Sequence, residues 1–327
     1  MEKKYDEISI VIPIYGDFDI KRAVLCIESI KSQKEVNVEI IVSETGEFRK
    51  FPKVEGVKHV FNYHKPREDL SDFNPGKVRN IGIMNSTKEF IYTLDADIIF
   101  LDPLFLKKSL RLLKENPSEI LFKPNMKRLP RDNFEEFLEW VNLFGFEEAI
   151  KGLFTDQEFI VKTTPGYREL KTFGKEIFGE ISKEAGYKKT FTLFIEDYKI
   201  YKKTTRFIRR LQEKIFNFWP IYWNETRHCG SNFFRRNQFI KVGGYCERFI
   251  NWGCEDSDLQ WKFREKYNLE FFPENLEVVH LDHPRGYISP KMWKENEKKS
   301  AERKRDGLEK AIREDLVNLC GQRKINP

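Results

Sequence analysis

Between residues 8 and 100 the chain alternates short apolar runs with segments of helical spacing: ISIVIPIY, KRAVLCIESIKSQ, VEIIVSE, GKVRNIGIMNST and KEFIYTLDADIIF. Strand, helix, strand, helix, strand in series predicts an α/β fold on a parallel sheet. Ligands of such sheets sit where the loops gather, at the carboxyl ends of the strands. Residues 13–17, 43–46 and 95–97 are therefore expected to converge on one crevice. From residue 104 the pattern turns helical (LFLKKSLRLLKENP), and from 130 to about 225 it is rich in Phe, Lys and Glu without strand alternation. The stretch 104–225 is thus expected to be an insertion of helices and loops. A compact, motif-dense segment follows at 228–284, and then KMWKENEKKSAERKRDGLEKAIREDLVNLC, charged and of helical spacing. These shifts predict a main domain over 1–290 and a charged helical tail over 291–327.

At 327 residues and 40% hydrophobic, the chain is long enough to bury a sizeable core. The 58 Lys plus Arg exceed the 52 Asp plus Glu by only six, spread along the sequence. That leaves room for anionic ligands such as nucleotide phosphates or lipid headgroups without pointing to nucleic acid. Five cysteines with no zinc-type CxxC pair read as free thiols in a reducing compartment. The N-terminus enters an apolar run of about 8 residues, shorter than a signal sequence with its cleavage site and far short of the ~20 residues that span a bilayer. A cytoplasmic protein is expected, with peripheral contact at the inner membrane surface as its one form of membrane association. The segment 205–223, TRFIRRLQEKIFNFWPIYW, mixes basic residues with large aromatics. It reads first as a helix packing its aromatic face on the domain, and second as a ligand or membrane contact.

Four clusters carry candidate chemistry. Asp95-Ala96-Asp97 ends an apolar run, so two carboxylates are expected to emerge at a strand's carboxyl end with Ala96 turned away. Paired hard oxygen donors in a cleft suit a divalent cation, Mg²⁺ or Mn²⁺, bridging to a diphosphate. Asn74-Pro75-Gly76 makes a turn before a short helix with Lys77 and Arg79 at its start, which suits phosphate. Asn251-Trp252-Gly253-Cys254-Glu255-Asp256-Ser257-Asp258 crowds three acids onto a helix whose Leu259, Phe263 and Tyr267 share a face. Capping accounts for one or two of those acids but not for the Trp-Gly step before them. His280 and His283, in a chain with five His, are candidate metal ligands at a strand's end.

Together VIPIYGD, EIIVSETG, GKVRNIG, LDAD, GSNFFRR, VGGYCERFINWGCEDSDL and HLDHP resemble family 2 type glycosyltransferases of the GT-A fold. Residues 243–259 are similar to the WGxEDxD region of β-1,4-galactosyltransferases, polypeptide N-acetylgalactosaminyltransferases and bacterial chondroitin polymerases. The resemblance covers residues 7–100 and 228–284. It implies that Pro13, Tyr15 and Glu44 line the nucleoside pocket and that Arg79 and Asn80 lie near the diphosphate. Asp95 would face the ribose, Asp97 the metal, and His283 or His280 would be the second ligand. Asp256 matches the catalytic base, while Glu255, Trp252 and Gly253 match residues that contact acceptor or donor sugar. Two departures are Ser43-Glu44, where the family usually has Asp-Asp, and Cys254, where galactosyltransferases have Gly.

The implied reaction is metal-dependent, inverting transfer from a nucleotide-sugar, UDP-linked, to an acceptor hydroxyl of a glycan or glycoconjugate. Asp256, at a helix N-terminus, is expected to stay ionised at neutral pH. The insertion 104–225 is a candidate acceptor region, and the segment 205–223 and the tail are expected to lie outside the nucleotide site and to serve acceptor capture or a membrane surface. Removal of 291–327 would then spare donor hydrolysis. One rival reading takes Leu94-Asp95-Ala96-Asp97 as the motif of an aspartyl-phosphate hydrolase, but Ile99 stands where that motif wants Thr. Another is a non-catalytic carbohydrate or nucleic-acid binding protein, which gives no reason for the paired acids and histidines to occur together.

Overall fold

The computed structural model describes residues 5–15, 20–65, 73–115, 123–129, 131–155, 228–251, 253–267, 276–283 and 290–321. The segment 205–223 and Trp252 lie outside them. Strand β1 (Asp6–Tyr15) is nearly continuous in apolar residues because both its faces are covered. Ile8, Ile10, Ile12 and Ile14 pack in one core layer with Ala23, Cys26, Ile27 and Ile30 of helix α1 (Ile20–Lys31). Val11 points the other way, into a layer with Ile81 and Ile83 of helix α2 (Pro75–Met84). Strand β2 (Val36–Gly46) pairs in parallel with β1 from Asp6↔Val36 to Tyr15↔Thr45. On the other side of β1 lies β4 (Phe90–Thr93), also parallel.

Two strands complete this sheet that the apolar pattern does not announce. Strand β3 (Val57–Tyr63) is a half-exposed edge strand carrying Lys58, His59 and Asn62, and β7 (Asn232–Arg235) has four residues and runs antiparallel to β4. The order is β3-β2-β1-β4-β7, a mixed sheet.

The run 88–100, read from sequence as one strand, is two. It breaks after Thr93, and β5 (Ile98–Phe100) joins a separate three-stranded sheet of order β5-β8-β6. The turn between them is closed by Ile98 N–H donating to the Asp95 carbonyl at 3.1 Å. Asp95, Ala96 and Asp97 therefore occupy a bend rather than an alternating strand, and Ala96 is buried there. Strand β8 (Glu277–Leu281) runs antiparallel to β5, and β6 (Asn125–Leu129) parallel to β8. Strand β6 falls inside the stretch expected to hold only helices and loops. With Met126 and Leu129 alone buried, its five residues are too few to alternate visibly. Around it lie α3 (Phe105–Glu115), α4 (Arg131–Phe144) and α5 (Phe146–Thr155).

Four helices follow β7: α6 (Arg236–Lys241), α7 (Glu255–Tyr267), α8 (Pro290–Asp306) and α9 (Leu308–Gly321). Leu259 and Phe263 of α7 enter the second core layer with Phe234 and Phe239, and Tyr267 packs on it. Ala311, Ile312 and Leu319 of α9 are buried, so the tail contributes apolar side chains as well as charge. Among the described residues no helix is long and apolar enough to cross a membrane.

Candidate functional site

The carboxyl ends of β1, β2 and β4 adjoin, since Tyr15 pairs with Thr45 and Leu94 N–H reaches the Val11 carbonyl at 3.0 Å. Asp95 follows directly. The antiparallel ladder places Ile98 opposite His280, and Leu281 N–H donates to the Asp97 carbonyl at 2.8 Å. That register lays the end of β8 beside Asp97. Its Oδ2 stands 2.8 Å from His283 Nε2 and 3.3 Å from His280 Nε2. Its other oxygen, Oδ1, is buried without a hydrogen-bond partner among the described residues. Burial raises the Asp97 carboxyl, but the two imidazoles outweigh it and hold the group well below the usual carboxylate range. Burial lowers His280, which favours the neutral ring that a metal requires.

The two histidines differ in what faces their far side. Arg128 Nη1 lies 3.3 Å from His280 Nδ1, and a guanidinium only donates. His280 Nδ1 therefore accepts, and its ring proton sits on Nε2, toward Asp97. A ligating imidazole needs the opposite tautomer, with the far nitrogen donating.

A third imidazole, His228, is absent from the sequence-based expectation. Its Nε2 is 3.3 Å from Asp95 Oδ2, and its Nδ1 is 2.7 Å from Ser231 Oγ. The signal for it was weak: one of five histidines, opening the motif-dense segment. Two residues on, a Cβ at Gly230 would stand 2.3 Å from Asp95 Oδ2, so only glycine lets the backbone lie against this carboxylate. Two donor sets emerge, each within 4.8 Å: Asp97 with His280 and His283, and Asp95 with Asp97 and His228. Imidazole nitrogen with carboxylate favours a transition ion over Mg²⁺, which prefers oxygen alone.

Arg79 is the hub of the remaining acids. Asn74 caps α2 by accepting from Lys77 N–H at 2.9 Å, with Pro75 in the first turn. The helix that follows turns Arg79 inward, 1% exposed. Its Nη2 donates to Asp95 Oδ1 at 2.8 Å and lies 3.9 Å from Asp256 Oδ2, while Nη1 donates to Glu255 Oε1 at 3.4 Å. Lying under these acids, it neutralises them and orients them. Burial works against ionisation of Asp95, yet Arg79 and His228 pull it down to about 2.

Asp256 is different. Burial, reinforced by Glu255 and Asp95 and only partly offset by Arg79, pushes it up to about 7. The expectation of a fully ionised Asp256 is corrected accordingly, because desolvation outweighs the helix N-terminus. Burial raises Glu255 as well, and its Oε2 accepts from Gly253 N–H at 3.1 Å. Asn232 Nδ2 donates to Asp256 Oδ1 at 3.3 Å. Three carboxylates, Asp95, Glu255 and Asp256, thus gather around one guanidinium, with Asp97 beside Asp95. A cation relieves such a charge excess.

Elsewhere the predicted residues divide. Tyr15 packs its ring on Phe73, with centroids 4.2 Å apart, beside the half-buried Pro13. The Glu44 carboxylate accepts from Lys50 N–H and Phe51 N–H at 2.7 and 3.3 Å, and its other oxygen is 2.6 Å from His59 Nε2. It ties β2 to the loop and strand that follow. Asn80 is fully buried, bonded to the Tyr245 backbone and to Glu247. It anchors the turn at 243–247. Trp252 lies outside the described residues.

The family model for glycosyl transferase family 2 matches residues 9–189, and that for the N-terminal domain of galactosyltransferase matches residues 209–284. An uncharacterized glycosyltransferase of Rickettsia bellii is 30% identical over 146 residues, which are 43% of this chain and 19% of that protein. Another, of Rickettsia felis, is 28% identical over 114 residues, 34% of this chain and 18% of that protein. The chain spans about a fifth of the length of these relatives. Among solved structures, S. aureus TarS 1-349 aligns with 84% of this chain and 60% of its own at 12% identity and a TM-score of 0.44. The same fragment in complex with UDP aligns with 90% of this chain and 64% of its own at 13% identity, again with a TM-score of 0.44.

Proposed function

We propose, from the premise that the chain belongs to glycosyl transferase family 2, that it moves a hexose or N-acetylhexosamine from a UDP-sugar to an acceptor hydroxyl with inversion. The mixed α/β architecture is the GT-A fold of that family, and Asp95 and Asp97 follow the strand end beside which such folds bind ligands. The single observation that carries the reading is the convergence on Arg79 of Asp95, Glu255 and Asp256, side chains 16 to 177 positions away in sequence, next to Asp97 and its histidines.

Asp97 and His283 would fit a divalent cation: Asp97 Oδ1 is buried without a hydrogen-bond partner among the described residues, His283 Nε2 stands 2.8 Å from Asp97 Oδ2, and it is His280 whose Nδ1 is taken by Arg128. His280 then orients Asp97 through its Nε2 proton. Held by Asp97 and His283, a divalent cation would supply positive charge where negative charge develops on the leaving diphosphate. Asp95, held by Arg79 and His228, faces the ribose. Asp256 accepts the acceptor hydroxyl's proton as the acceptor oxygen bonds to the anomeric carbon, and the bond to the diphosphate oxygen breaks with its electron pair leaving on the diphosphate. One base and one displacement invert the centre. Glu255 and Trp252 contact the sugars, and the stretch 104–225 is the acceptor region of the domain.

The test is thermal stabilisation by UDP with and without Mn²⁺, followed by a hydrolysis screen over UDP- and GDP-sugars. A transferase of this kind is stabilised by UDP only when Mn²⁺ is present. Stabilisation that ignores the metal, or none at all, defeats the reading.

A further inference from the structure

The loop that delivers Glu255 and Asp256 is strained. Asn251 and Cys254 adopt φ of 62° and 75°, with Gly253 at 104° between them, and non-glycine residues rarely enter that left-handed region without surrounding support. The support comes from α8. Asn296, fully buried, donates through Nδ2 to the carbonyls of Ile250 at 2.8 Å and Gly253 at 3.2 Å. A Cβ on Gly253 would stand 2.6 Å from the Trp293 ring, so helix and loop are in direct contact. Beyond the acid pair, Arg303 Nε donates to Asp258 Oδ1 at 2.9 Å, and its Nη2 donates to Asp258 Oδ2 at 3.2 Å and Asp315 Oδ2 at 2.6 Å. Lys262 donates to the same Asp315 oxygen at 2.6 Å. All four of these ionic side chains are 0–1% exposed.

The helix pair therefore grips α7 on both flanks of Glu255-Asp256: Asn296 before them, Arg303 and Asp315 after. Both family matches end before it, at residues 189 and 284. We propose that the C-terminal helices α8 and α9 are a positioning element of the transfer site, with Asn296 and Arg303 as positioning residues that set where the base stands. This rests on the transferase reading above. The physical reason is that a left-handed loop and a buried carboxylate such as Asp258 hold one conformation only while their partners are in place. Neither side chain need touch substrate.

Asn296→Ala is the informative variant, since it removes two hydrogen bonds and leaves no buried charge unpaired. Arg303→Ala leaves the two buried carboxylates of Asp258 and Asp315 to Lys262 as their one remaining cation in this network and endangers the fold. Hydrogen exchange read by mass spectrometry should show the peptide over 250–258 exchanging roughly tenfold faster or more in Asn296→Ala, with β1 unchanged. Affinity for UDP with Mn²⁺ should stay within about twofold, while turnover of the UDP-sugar that the wild type hydrolyses falls about tenfold at unchanged donor KM, as expected for an effect confined to the transition state. Unchanged exchange over 250–258 in a folded variant overturns the proposal, as does a loss spread evenly over the protein and over UDP affinity. A wild type that binds no UDP would instead defeat the transferase reading, and exchange over 250–258 would still judge the brace.

Discussion

Asp256 is the residue whose environment and role are most tightly joined. Raised to about 7 by burial, it would, in its proposed role as base, be poised near neutral pH, where proton transfer is most effective. Turnover should rise with pH through about 7, because only the ionised form accepts a proton, and Asp256→Asn should lower kcat by ~10² to 10⁴-fold at near-normal donor affinity. The sign for stability is opposite. A carboxyl raised in the folded state favours folding while protonated, and that contribution is lost as pH rises through the folded value. The melting-temperature advantage of Asp256→Asn over the wild type should therefore grow as pH rises from the ordinary carboxylate range to about 7, and be larger at pH 8 than at pH 5. A variant with a full acidic limb in its rate profile would place the base elsewhere. At the metal, Asp97→Ala should abolish Mn²⁺-dependent UDP binding. His283→Ala should weaken it ~10-fold or more, and His280→Ala less, because losing a ligand removes a bond whereas losing an orienting partner only loosens one. Equal effects of the two histidines, measured by calorimetry with UDP and Mn²⁺, would undo the tautomer argument from Arg128.

Helix α2 and the sheet depend on one close approach. A Cβ on Gly82 would lie 2.3 Å from Val11 Cγ1 and 3.0 Å from Ser43 Cβ, and the same contact lets Ser43 Oγ donate to the Val78 carbonyl at 2.7 Å. Gly82→Ala raises helix propensity yet forces the helix off the sheet. Overpacking of this sort costs about 1–3 kcal/mol, and the displaced helix carries Arg79 with it. Urea unfolding should show the loss of stability, and Mn²⁺-dependent UDP stabilisation should fall in step. A neutral or stabilised Gly82→Ala would mean that α2 has room to shift without moving Arg79.

For the whole chain, the tail changes the expectation set by its composition. Seventeen residues of α8 and fourteen of α9 read as a charged appendage whose deletion spares donor hydrolysis. With Asp258, Lys262, Arg303 and Asp315 in one buried network, deletion of 291–327 removes Arg303 and Asp315 and leaves Asp258 and Lys262 with each other at 3.7 Å and the Gly244 carbonyl. Breaking buried ion pairs from one side typically costs 3–5 kcal/mol, roughly half the stability of a domain. The truncated chain should be recovered unfolded or insoluble, as judged by circular dichroism and gel filtration. A soluble, folded truncation with full donor hydrolysis would refute both this and the positioning role.

The sequence by itself determined the alternation of strands and helices over most of residues 8–100, the turn at 74–76 before α2, the apolar face of α7, and the clusters of acids and histidines that the fold brings together. All of these depend on neighbours a few positions apart, where periodicity and turn chemistry act. Tertiary structure alone decided that the run 88–100 splits between two sheets, that β8 lies in the register that sets His280 and His283 against Asp97, and that His228 reaches Asp95. It also decided that Arg79 lies beneath three acids, and that Glu44 and Asn80 anchor loops. Each of these joins positions far apart in sequence, and a pairing of that kind leaves no periodic trace in either partner. The pKa of Asp256 belongs with them, because burial and the charges of Glu255, Asp95 and Arg79 set it only once the chain has brought them together.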